Sequence, residues 1–176
     1  METILSVFVG LGLAAAAGFR VFVPLLVVAL AARIGVLELS PEFAWVGSWQ
    51  AVVAFSAASI IELAAYYIPF VDNFLDGITS PLAVIAGTVL TAAVVTDVDP
   101  FFKWTMAIIA GGGMAGMVQA KTVVTRGISS ATTAGFANPV VSTVEFAGAA
   151  TTAAVSVLVP AVALVLVFAV LVWMLR

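Results

Sequence analysis

Arg20, Glu62, Lys121, Arg126 and Glu145 are the residues best placed for chemistry, because each lies within or beside a long apolar stretch. A charge at the centre of a bilayer costs about 2.5–3.5 kcal/mol on insertion scales, so such residues face the bundle interior and pair. Two kinds of chemistry fit them. One is a polar pathway or binding site for a small polar or ionic solute, with Arg20 and Lys121 as its cations and Glu62 as counter-charge. The other is a set of structural ion pairs that fix helix register. Arg126 and Arg33 also suit snorkelling from a helix end. Glu145 also suits the start of the last helix, where a carboxylate opposes the helix dipole favourably.

Asp72 and Asp76 add a third possibility. They stand four residues apart, on one helical face. The run Asp72-Asn73-Phe74-Leu75-Asp76 resembles the aspartate-rich motifs that hold Mg²⁺ and a diphosphate in membrane prenyltransferases. That chemistry needs several carboxylates with magnesium bridging to phosphate. The other acidic cluster, Asp97 and Asp99, reads as a turn ahead of Pro100. A lone pair of aspartates is more often a solvated face or an acidic first turn. An enzyme is therefore the weakest of the three readings, and no cofactor is expected. The chain has neither cysteine nor histidine, which removes disulfides, thiol chemistry, Cys/His metal sites and histidine general bases. No basic run points to nucleic acid.

The elements that must position these groups are membrane helices. The 176 residues are 64% hydrophobic and 9% charged, whereas a soluble domain carries about 25% charged residues. Lipid is the expected solvent, and residues 1–176 form a single integral membrane domain of about five crossings. The expected fold is an all-α polytopic transmembrane bundle with broken or kinked helices. The run 4–36 is too long for one upright crossing, and Gly18-Phe19-Arg20 followed by Pro24 predicts a break near Arg20. Residues 37–48 read as an interfacial loop with Trp45, and 49–68 as a helix that contains Glu62 and exits at Tyr66 and Tyr67. Residues 69–81 read as a polar connection or short amphipathic helix, 82–96 as a short apolar segment and 101–126 as a fourth helix. The Ser/Thr/Gly-rich stretch that follows, up to Asn138-Pro139, reads as an irregular break. Such backbone is tolerated at membrane depth only where protein buries it or it lines a wet cavity. The apolar run 139–175 reads as one long helix kinked at Pro160, or as two with a sixth crossing if the chain turns there. Arg33, Lys103 and Arg176 fall on one side and Lys121 and Arg126 on the other, a slight bias that makes the first side cytoplasmic.

Small residues recur every fourth position at Gly10, Ala14 and Gly18, and again at Gly112, Gly116 and Ala120. Each seam ends beside a cation, and this spacing lets helix backbones approach closely. The two seams are expected to pack near each other. With three crossings between their starts they would run in opposite directions, which suits an inverted repeat of the transporter kind. A homodimer through one seam is the compatible assembly.

Taken in order, Gly18-Phe19-Arg20 with Pro24-Leu25, Glu62, Pro69 with Asp72 and Asp76, Lys121 with Arg126, and Phe136, Asn138-Pro139, Ser142 and Glu145 resemble a family. It consists of small bacterial integral membrane proteins known only as a domain of unknown function. The chain departs from it at Glu145-Phe146, where relatives often carry Glu-Asp. The resemblance implies a multi-pass protein of the bacterial cytoplasmic membrane and names no reaction. The sequence reading is thus a small transporter or channel, with membrane lipids and the solute as partners. Arg20, Glu62, Asp72, Asp76, Lys121, Arg126, Asn138 and Glu145 are its candidate pathway residues. A non-transporting scaffold or lipid-binding protein is the alternative.

Overall fold

Two seams of small residues on either side of one helix set the architecture. The computed structural model describes residues 2–68 and 71–175, and no strand occurs among them. The elements are α1 (Glu2–Phe19), α2 (Phe22–Arg33), a 3-10 helix (Pro41–Gly47), α3 (Trp49–Ala65), α4 (Val71–Val94), α5 (Pro100–Met106), a π-helical turn (Ala107–Gly112), α6 (Gly113–Thr133), α7 (Asn138–Leu158) and α8 (Pro160–Leu175). Phe74–Val94, Pro100–Thr133 and Asn138–Leu158 are long and apolar enough to cross a membrane, and the bent pair of the 3-10 helix and α3 makes a fourth span if taken as one. The breaks at Arg20 and Val159 divide the remaining apolar chain into shorter helices.

Helix α4 lies between the seams. A Cβ on Gly10 would meet Thr91 at 3.0 Å, and one on Gly87 would meet Ala115 at 2.5 Å, the Gly111 carbonyl at 2.8 Å and Ala14 at 3.3 Å. A Cβ on Gly111 would meet the Gly87 carbonyl at 2.8 Å. The seams therefore meet through α4 and also directly, since a Cβ on Gly18 would meet Val118 at 2.5 Å and the Ala115 carbonyl at 2.6 Å. The matching pairs are Gly10/Ala14 and Gly111/Ala115, both set on Thr91 and Gly87, with Gly112 and Gly116 one position round against Thr88 and Val84. Gly10 lies at the C-terminal end of α4, so α1 runs antiparallel to it, and α6 does so by the same test. Hence α1 and α6 run in the same direction. The opposed orientation expected of an inverted repeat is not the relation of these two segments. The hairpin at Arg20 accounts for the difference: α2 returns to the end where α1 began, which adds one passage before the second seam.

The Thr91 hydroxyl lies 2.8 Å from the Gly87 carbonyl and 3.2 Å from that of Gly10, which satisfies it at the tightest approach. After α2, Ser40 bonds back to the end of α4, its N–H to Ala93 at 2.8 Å and its hydroxyl to Ala92 at 3.2 Å. Helix α1 thus rises from that end, breaks at Arg20, and α2 returns. At the same end Lys103 pairs with Glu42, Arg33 stacks on Trp49, and Trp45, Trp49, Phe101 and Phe102 are exposed. This is the aromatic and basic dressing of a membrane–water boundary.

Three expectations are corrected. Residues 71–81 are no connection: Val71–Val94 is one helix that runs through Pro81. A proline removes a single helical bond. Residues 127–133 do not unravel either. The hydroxyls of Thr125, Thr132 and Thr133 bond the carbonyls four residues back at 2.7–2.9 Å, so polar side chains are satisfied within the helix. The irregular interval shrinks to 134–137, where Ala134 (φ 51°) and Gly135 (φ 85°) turn the chain in the left-handed region. Finally, the run 139–175 is two helices, because Val159 leaves helical geometry ahead of Pro160.

Replacing Gly87 with Leu should force α4 away from both seams, at a cost at the upper end of the ~1–3 kcal/mol typical of overpacking. Gly113 has nothing within 4 Å of a built Cβ, so Gly113→Leu should be nearly silent. Folded yield and thermal unfolding in detergent compare the two. Equal behaviour would remove the seam from its central role.

Candidate functional site

The connections α1/α2, α3/α4 and α6/α7 gather at the other end of the bundle, and the buried charges lie just beneath them. Periodicity explains how they converge. On α6 the buried residues include Gln119, Thr122, Arg126 and Ser129, a polar stripe at helical spacing. On α7 the buried face carries Asn138, Ser142, Glu145, Thr152 and Ser156. Both helices turn a row of polar side chains inward. Glu145 comes seven residues after the start of α7 and Arg126 seven before the end of α6, so the cluster lies roughly 10 Å along each helix at 1.5 Å per residue.

Glu145 is the hub. Its Oε2 accepts from Arg20 Nη2 and from Arg126 Nη1, each at 2.9 Å. Arg20 Nη2 also donates to Ser142 Oγ at 2.6 Å and to the Ser142 carbonyl at 3.2 Å. Arg126 Nη2 pairs with Asp76 Oδ1 at 2.5 Å. The Tyr66 hydroxyl donates to that same Asp76 oxygen at 3.0 Å and lies 3.0 Å from Thr79 Oγ1. Its ring is the platform for both cations: the Arg20 guanidinium carbon sits 3.9 Å from the ring centroid and that of Arg126 4.4 Å. Desolvated guanidinium–aromatic contacts of this kind contribute about 2 kcal/mol or more. Gln119 Nε2 extends the network to Thr79 at 3.3 Å. Arg20 and Arg126 are each 1% exposed and Glu145 5%.

Glu62 works differently. Its two oxygens accept the backbone N–H groups of Val21 at 3.0 Å and Phe22 at 3.2 Å. It caps α2 from α3, satisfying donors that a helix start leaves open and opposing the dipole there.

Among the charges expected to converge, Arg20, Asp76, Arg126 and Glu145 form one connected network, with Glu62 one residue away along the backbone. The direct carboxylate partner of Arg20 is Glu145 rather than Glu62. Lys121 stands half-buried, one position off the polar stripe that carries Thr122 and Arg126. Arg126 is fully buried rather than snorkelling. Asn138 is buried at the turn, where its amide donates to Ser130 Oγ at 2.8 Å. The Asp72 side chain lies outside the described residues. Asp76, a candidate pathway residue whose spacing from Asp72 also allowed a magnesium motif, serves an arginine. Tyr66, Thr79, Gln119 and Ser142 are the members that sequence reading missed. The 119–122–126–129 spacing was the available signal for Gln119 and for preferring Arg126.

Residues 7–176 match the family described as Domain of unknown function (DUF4126). The chain belongs to that family. No curated protein and no solved structure matches it. Residues that carried the resemblance, Arg20, Asp76, Arg126 and Glu145, supply the network described above.

Removing one partner of a buried pair leaves an uncompensated charge, which costs about 3–5 kcal/mol. Arg126→Met, which takes the cation from Asp76 and leaves Glu145 to Arg20 alone, should fall in that range. Tyr66→Phe keeps the ring platform and loses only the hydroxyl bonds, so about 1–3 kcal/mol is expected. Unfolding in mixed micelles ranks the two, and a Tyr66→Phe loss equal to that of Arg126→Met would contradict the hub assignment.

Proposed function

We propose that this protein is a small membrane carrier or channel for a small polar or ionic solute in the bacterial cytoplasmic membrane, with the Arg20–Glu145–Arg126–Asp76 cluster as its site. One observation carries the reading. Arg20 Nε and Nη1, Arg126 Nε and Glu145 Oε1 are buried and have no hydrogen-bond partner among the described residues. A set of purely structural ion pairs gains most by satisfying all its donors, because each buried unpaired polar group costs about 1–3 kcal/mol, more if charged. Unused charged donors at a broken helix are the features of a site that takes a further polar group. The location fits as well: the cluster sits where α1 is interrupted, as binding sites do in carriers built from discontinuous helices.

The test is flux through the purified protein in proteoliposomes, using a panel of small neutral, anionic and cationic solutes. Wild type should pass one class selectively. Glu145→Gln, which keeps the shape and removes the charge, should change that flux at least tenfold while eluting as folded protein. No flux for any solute would favour the scaffold alternative, in which the same pairs only fix helix register.

A further inference from the structure

Two arginines held on one carboxylate oxygen form an anion site already filled by a residue of the chain. Arg20 and Arg126 both donate to Glu145 Oε2, while its Oε1 has no hydrogen-bond partner among the described residues. Glu145 is therefore a tethered anion attached by one atom, and the guanidinium edges around it retain the open donors Arg20 Nε, Arg20 Nη1 and Arg126 Nε. The other charges facing it are Glu62 from α3 and Asp76 from α4, with the neutral Tyr66 phenol of α3 against both arginines. Helix α2 brings no titratable group until Arg33 at its far end, and α8 none among its described residues. Glu62 is occupied by the α2 backbone and Asp76 by Arg126 and Tyr66.

The charge balance then limits what can enter. Among the described residues that meet at Glu145, two guanidinium cations face three carboxylates, Glu62, Asp76 and Glu145, with the half-buried Lys121 of α6 off the polar stripe. The cluster is already one negative charge in excess, so a second anion beside an ionised Glu145 would be buried uncompensated. A cation would have to settle against the arginines. If Glu145 takes up a proton, its hold on the arginines weakens, the excess charge vanishes, and one monovalent anion can replace it on their open donors. The total charge returns to its starting value.

Building on the carrier reading, we propose that the solute is a small monovalent anion, such as a halide, nitrate or short carboxylate, bound between Arg20 and Arg126 in exchange for Glu145 and together with one proton on Glu145. The proton is taken from hydronium in the bulk solution, whose O–H bond breaks to leave water as the Glu145 O–H forms, and no other covalent bond changes.

The experiment adds chloride, nitrate, formate, sulfate or potassium gluconate to the purified protein in weakly buffered detergent. Binding is followed by calorimetry and proton uptake by pH electrode. One proton should be absorbed per small anion bound, and the apparent affinity should fall about tenfold per pH unit on the alkaline side, as linkage to one proton requires. Glu145→Gln should bind the anion with no proton uptake and no pH dependence. Wild-type binding without proton uptake overturns the coupling even if the variant fails to fold. Selective flux of a cation or neutral solute in the proteoliposome panel, with no anion binding, overturns the anion assignment and leaves the carrier reading standing. Proton-linked anion binding with no flux does the reverse.

Discussion

A carboxylate taken into hydrocarbon has to bring its counter-charges with it, and Glu145 brings two. Each lies on a different helix, so the electrostatic demand of one side chain determines where three elements meet. Helix α1 must end where Arg20 can reach α7, and α6 must present Arg126 to the same oxygen. Helix α4 must start far enough along the bundle for Asp76 to take the second edge of Arg126. Tyr66 fills the space between the guanidiniums with a ring, which offers them an electron-rich face without adding charge.

Packing of the apolar faces follows a different rule. Lipid tails are as apolar as leucine, so burying leucine there drives little association, and helices gain instead from close backbone contact. That explains why the core around α1 is dominated by alanine and valine, with Ala14, Ala15, Ala16 and Ala17 fully buried, while large residues such as Ile60, Ile61, Ile109 and Phe136 are outside. The bundle is tight where side chains are small and electrostatically specified where they are charged. Gly87 and Glu145 mark these two regimes.

Much of this was legible in the sequence because composition and burial cost act on single residues. The all-α class, the break at Arg20 and the inward burial of the charges follow from the rarity of polar groups in apolar runs. The pairing did not follow. Nothing local distinguishes Glu62 from Glu145 as the mate of Arg20, since that choice depends on which helix stands opposite. Lys121 was preferred over Arg126 because it closes the Gly112/Gly116/Ala120 seam, whereas the tightest packing is one position earlier, at Gly111 and Ala115, in phase with Thr122 and Arg126. The Ser/Thr-rich end of α6 looked irregular because hydroxyls compete with backbone bonds in water. In a membrane they turn back to their own helix, and Thr132 and Thr133 do so here.

The cap on α2 has a consequence for how the chain enters the bilayer. The first donors of that helix are satisfied by Glu62, a residue 41 positions beyond Val21. While the ribosome has delivered only α1 and α2, those amides have no acceptor and must keep water. The hairpin therefore cannot settle at its final depth until α3 has followed it. Insertion of the first two helices is then completed by the third, and a chain that stalled before Glu62 would leave the apex of the hairpin at the membrane surface.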